Sequence, residues 1–120
     1  MKNFNLQTGQ IGEELAAEFL GKKGYKVIER NFRTRFGEID LIVKKDKVLI
    51  FVEVKCSASD YRKPEWQISK RKIQQVKKMS HVYLATHKIR YTNLRIDAIC
   101  ITLKGDNQLL KIQHYKNPLL

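Results

Sequence analysis

The sequence predicts an α/β fold in which helices cover a mixed five-stranded sheet. Hydrophobic periodicity changes along the 120 residues in the order helix, three strands, helix, two strands. Val48–Val52 is an unbroken apolar run, the pattern of a strand covered on both faces. The second helix separates that run from a later strand, so its crossover should set Leu94–Leu103 parallel to Val48–Val54. The length suits one domain, residues 1–120, and a 42% hydrophobic composition is enough to bury a core.

The first helix is expected from Thr8 to Lys23. Ile11, Leu15 and Phe19 recur every four residues beside Gly12, Ala16 and Leu20; Thr8 is placed to cap the start and Gly24 the end. At about 100° per residue, Glu13 falls just outside the apolar arc, whereas Glu14 and Glu18 turn towards solvent. Glu13 is therefore the helix carboxylate able to look into a site, although a charge at a helix start also complements the macrodipole. Tyr25–Phe32 reads as a strand. It is followed by a basic connection carrying Arg30, Arg33 and Arg35 among Phe32 and Phe36, a composition suited to phosphates and bases.

Gly37–Lys55 reads as a hairpin turning at Lys45-Asp46. Alternation places Glu38 and Asp40 on one face, opposite Ile39, Leu41 and Val43. In the second strand Leu49, Phe51, Glu53 and Lys55 share a face. That turn pairs Lys44 with Lys47 and makes Asp40 and Glu53 diagonal neighbours about 7–8 Å apart. Charge in such strands is costly unless it is paired or holds a metal. Cys56–Pro64 reads as a polar loop whose tip offers Tyr61, Arg62 and Lys63.

A second helix is expected from Ile68 to about His87, with Ser69 as its cap. Between Ser69 and Tyr91 there are seven basic residues, Lys70, Arg71 and Lys72 among them, and no acidic one. Such a face suits a phosphate backbone. His81 and His87 have no companion ligands and read as surface residues. Leu94–Leu103, the Gly105-Asp106-Asn107 turn and Leu109–Tyr115 complete the sheet, with Arg95 and Asp97 on one face.

Twenty-four Lys and Arg against twelve Asp and Glu give +12, which points to nucleic acid as partner. No apolar run of about 18 residues and no amphipathic basic helix supports a membrane role. Met1–Gln10 is polar and lacks an apolar signal core, so a cytoplasmic location is expected. Cys56 and Cys100 match no zinc spacing and are expected as reduced thiols.

Asp40, Glu53 and Lys55 offer two hard oxygen ligands and a cation, a set suited to Mg2+ or Mn2+, with the Val54 carbonyl as a further oxygen. Metal-assisted phosphodiester hydrolysis follows as the chemistry. Glu13 would hold a second metal or an outer water, and Lys55 would orient water or stabilise transition-state charge. Non-catalytic nucleic-acid binding and an RNA-directed nuclease are the competing functions.

Several motifs carry a family resemblance: Gly9-x-x-Gly12-Glu13-x-x-Ala16, Arg30–Arg33, Gly37–Ile42 and Phe51–Lys55. Lys72, Tyr83-Leu84 and Arg95–Asp97 continue it. The chain resembles the bacterial YraN (UPF0102) proteins. That resemblance implies a three-layer α/β/α, restriction-endonuclease-like fold of the PD-(D/E)xK superfamily, distantly similar to archaeal Holliday-junction resolvases. It also implies Asp40, Glu53 and Lys55 as the nuclease motif, with Glu13 as the acidic residue of the first helix. DNA, branched DNA in particular, becomes the expected substrate, and a homodimer a compatible assembly. Asp40 is preceded by Ile39 rather than by the proline of the PD-(D/E)xK pattern, and Cys56-Ser57 stands where arginine often follows the motif lysine.

Overall fold

The computed structural model describes residues 2–58, Pro64 and residues 68–117, with side chains from Thr8 onward. Elements follow in the order α1 (Lys2–Lys22), β1 (Lys26–Thr34), β2 (Gly37–Lys45), β3 (Val48–Ser57), α2 (Lys70–Thr86), β4 (Asn93–Lys104) and β5 (Gln108–Lys116). The strands form one sheet ordered β1-β2-β3-β4-β5. β3 and β4 are parallel and the other neighbours antiparallel, so the sheet is mixed as the crossover required.

Each face of the sheet has its own apolar layer. Ala16, Ala17 and Leu20 of α1 pack on Leu41, Val43, Ile50, Val52, Ile99 and Ile101. Val76, Met79 and Tyr83 of α2 pack on Ile39, Ile42, Leu49 and Phe51. The middle strand β3 is therefore covered on both sides, which its apolar run demands. Truncating a side chain such as Phe51, 1% exposed, to alanine costs about 3–5 kcal/mol.

Four expectations need correction. Helix α1 begins at Lys2 rather than Thr8; Thr8 is a buried residue within it, and no proline or glycine interrupts residues 2–8. Its end is as expected, with Gly24 at φ 91 and the Tyr25 N–H donating to the Leu20 carbonyl at 3.0 Å. Strand β1 runs on through the basic segment to Thr34, so Arg30 and Arg33 sit on a strand rather than in a connection. An edge strand tolerates exposed charge, and its sequence reads like a loop for that reason. The hairpin turns one residue later than expected, with Lys45 paired to Val48 and Asp46 at φ 54. Moving the turn by one residue moves the register by two. Side-chain parity survives such a shift, and continuing the register past Leu41↔Val52 sets Asp40 opposite Glu53 instead of diagonal to it.

The fourth correction concerns alternation in β2. Ile39 packs with α2, not with Leu41 and Val43 beneath α1. The break falls at Asp40. Facing it in β1 is Asn31, between the pairs Arg30↔Leu41 and Phe32↔Ile39, with φ 53. Asparagine is one of the few residues that adopts this left-handed conformation readily.

On the α1 face a buried polar network joins the strands. Asp97 accepts from Arg95 Nε at 2.8 Å and Nη2 at 3.0 Å, lies 2.7 Å from His114 Nε2, and Arg95 donates to the Tyr25 hydroxyl at 3.1 Å. The expected Arg95–Asp97 pair is therefore present. Burial alone would push the Asp97 carboxyl up, but the His114 and Arg95 hydrogen bonds outweigh it and hold it below its ordinary value. Neither cysteine is in a disulfide among the described residues, and burial pushes Cys56 up to about 11. Among the described residues, no helix is long and apolar enough to cross a membrane.

Candidate metal centre

The carboxylates converge where the start of β2 meets the end of β3. Helix α1 delivers Glu13 from one side, because Gly12 lets the helix close on β3: a Cβ at Gly12 would lie 2.7 Å from Cys56 Cβ. Strand β2 delivers Glu38 and Asp40. One carboxylate oxygen from each of Glu13, Glu38 and Asp40 lies within 4.8 Å of the others. Asn31, with its amide nitrogen facing these acids, donates to Glu13 at 3.0 Å and Glu38 at 2.8 Å. Its left-handed backbone thus places a donor that ties two carboxylates together.

Asp40 is fixed by the backbone of the neighbouring strand. The Val54 N–H donates to Asp40 Oδ2 at 2.8 Å. Burial nevertheless raises the Asp40 carboxyl, and the Val54 bond opposes that rise.

Glu53 enters from β3 on the face that α2 covers. It is 2% exposed. Lys55 Nζ lies 3.5 Å and Lys72 Nζ 3.8 Å from the same oxygen, Oε1. Oε2 is buried and has no partner among the described residues. Burial, then repulsion from Asp40, pushes Glu53 up to about 7 against the pull of the two lysines. Burial, then Asp40 and Glu38, pushes Glu13 up to about 6. Burial and mutual repulsion thus make these acids harder to ionise than ordinary carboxylates.

The structure brings Glu13, Asp40, Glu53 and Lys55 into one region, as the sequence reading expects. At four residues the structure adds to that reading. Glu38 belongs to the three-carboxylate group, while Glu53 lies outside that group's 4.8 Å limit. Asn31 was read only as part of a basic connection; its tolerance of positive φ is the signal that marks it. Lys72, expected to touch nucleic acid, also reaches Glu53.

The other basic candidates are spread more widely. Arg30 pairs with Glu14 at 2.8 Å and Arg33 with Glu38 at 3.3 Å, both exposed pairs worth little energetically. Arg35 lies over the Phe36 ring. Lys70 and Arg71 open the first turn of α2, whose cap is Ser69 as expected, accepting from the Lys72 N–H at 3.1 Å. Arg62 and Lys63 lie outside the described residues.

Fold and site together define a class: a mixed-sheet α/β protein with a carboxylate cluster and lysines at the end of its central strand. A family model described as "Uncharacterised protein family UPF0102" matches residues 12–101. A UPF0102 protein of Syntrophomonas wolfei is 41% identical over 114 residues, covering 94% of this chain and 97% of the relative. One from Caldanaerobacter subterraneus subsp. tengcongensis is 38% identical over 120 residues, covering 98% of each. The chain belongs to the UPF0102 family.

Proposed function

We propose that this protein is a metal-dependent endonuclease that hydrolyses phosphodiester bonds in DNA, with branched DNA as the candidate substrate. The observation that carries the reading is the buried, unpartnered Glu53 oxygen beside a cluster of mutually repelling carboxylates. Such a group is costly unless a cation joins it. The donors are all hard oxygens, which fits Mg2+ or Mn2+ rather than zinc. Asp40 and Glu53 would hold the ion, with Glu13 and Glu38 completing the oxygen set or holding a second ion. When bound, the ion supplies Lewis-acid polarisation of a phosphoryl oxygen and activates water at neutral pH.

The chain's own groups do the rest. The Val54 N–H holds Asp40 Oδ2 at 2.8 Å and so fixes the carboxylate's position. Lys55 stands beside Glu53, placed to orient a water or to stabilise negative charge as it develops on the phosphate. Lys72 adds a second cation from α2. The basic surface supports a polyanionic substrate.

Cleavage of labelled duplex, single-stranded and four-way-junction DNA in Mg2+ or Mn2+ tests the reading. Wild type should cut at least one substrate, and Asp40→Ala and Lys55→Ala should lose about 100-fold or more in rate while still binding. No metal-dependent cleavage by wild type, with binding intact throughout, would instead make this a non-catalytic nucleic-acid-binding module.

A further inference from the structure

One basic surface feature lies beside the carboxylates but outside their cluster. A groove of about 480 Å3 runs along the first turns of α2, lined by Phe36, Ser69, Arg71, Lys72, Gln75 and Lys78. Its volume is in the range of pockets that hold ligands of nucleotide size, about 300–1,000 Å3. Its lining carries three cations and, among the described residues, no carboxylate. Lys72 belongs both to this groove and to Glu53, so the groove leads to the candidate metal centre.

Phe36 is the unusual member. It sits in the β1–β2 turn with 41% of its surface exposed. The backbone beneath it is held from two sides. Gln75 Nε2 donates to the Phe36 carbonyl at 2.9 Å, and the Phe36 N–H donates to Thr34 Oγ1 at 3.0 Å. Gly37 leaves room for the Gln75 side chain: a Cβ there would lie 2.6 Å from Gln75 Nε2, and its φ of 145 favours glycine. Lys78 Nζ and the Arg35 guanidinium lie 4.8 and 5.0 Å from the ring centre. Both cations lie over the ring, so a stacking base takes the place of one of them on a backbone-fixed aromatic face, and the displaced charge is left beside the strand's phosphates. A base inside a duplex has no free face to offer such a ring.

We infer that this groove binds a single-stranded stretch of the substrate, one base stacking against Phe36 and the adjoining phosphates resting on Arg71, Lys72 and Lys78. The substrate class is then DNA with unpaired nucleotides next to the cleaved bond, such as a flap, gap or junction arm. The inference rests on the proposed nuclease reading for where the strand leads, from the groove to the carboxylates.

Fluorescence anisotropy with labelled oligonucleotides tests it without divalent metal, so binding is read independently of cleavage. Phe36→Ala should weaken single-stranded DNA about tenfold or more and leave blunt duplex binding within about twofold. Phe36→Trp, which keeps a stacking face, should bind single strands as wild type does. Phe36→Leu, which keeps apolar bulk without one, should behave like Phe36→Ala. Unchanged single-strand affinity in Phe36→Ala, an equal loss on both substrates, or no single-strand binding by wild type overturns the inference. Absence of cleavage in Mg2+ or Mn2+ sinks the nuclease reading alone. Duplex cleavage with single-strand binding indifferent to Phe36 sinks this inference alone.

Discussion

Glu53 has two lysines on one oxygen and, among the described residues, none on the other. Its carboxyl rises from an ordinary 4.5 to about 7, chiefly through burial. A raised carboxyl binds its proton more tightly in the folded chain than in the unfolded one. The resulting stabilisation is full below pH 4.5 and is lost as pH rises through about 7. For Glu53 the loss is on the order of 3 kcal/mol. Glutamine cannot ionise, so metal-free Glu53→Gln should melt higher than wild type at pH 8 and about level with it at pH 5. Thermal unfolding at the two pH values checks this; equal melting temperatures at pH 8 would show that Glu53 carries no such penalty. The charged trio Asp40, Glu53 and Lys55 was legible in the sequence because charge inside apolar strands is conspicuous. Asn31 was not, since its importance lies in a backbone angle and an amide contact that no spacing encodes.

The elements hold these residues in place, and their close approaches can be tested. Helix α1 reaches β3 only because residue 12 has no side chain. Gly12→Ala should cost about 1–3 kcal/mol in urea unfolding, by overpacking. It should also reduce cleavage, because Glu13 is the next residue along. An alanine variant as stable and as active as wild type would mean that α1 does not set the position of Glu13. At this scale most of the fold was readable. The parallel β3–β4 pair, the Ser69 cap and the Gly24 terminus follow from periodicity and end signals. Strand β1 was cut short because an edge strand rich in arginine looks like a loop. The turn was misplaced by one residue, since Lys45, Asp46 and Lys47 are alike in polarity.

Over the whole molecule, +12 is carried on a body of 41 × 31 × 27 Å. The basic residues are not equivalent. Arg30, Arg33 and Lys55 have acidic partners, Arg71 and Lys78 line the groove, and Lys72 does both. Composition announces a polyanionic partner but cannot tell these groups apart, because pairing depends on which strand lies beside which. If three groove cations each neutralise a phosphate, raising salt from 50 to 200 mM should weaken DNA binding roughly 20- to 40-fold. Anisotropy titrations across that range measure the slope, and a flat response would exclude a phosphate-dominated interface.

The central claim is that the buried carboxylates form a divalent-cation site, and calorimetric titration of Mn2+ into the metal-free protein tests it most directly. At pH 6.5 Glu13 and Glu53, near 6 and 7, still hold part of their protons. Mn2+ should therefore bind with release of protons, and the release should fade towards pH 9. Asp40→Asn and Glu53→Gln should each lose the binding. No Mn2+ binding by wild type, or binding of equal strength in both variants, would contradict the account.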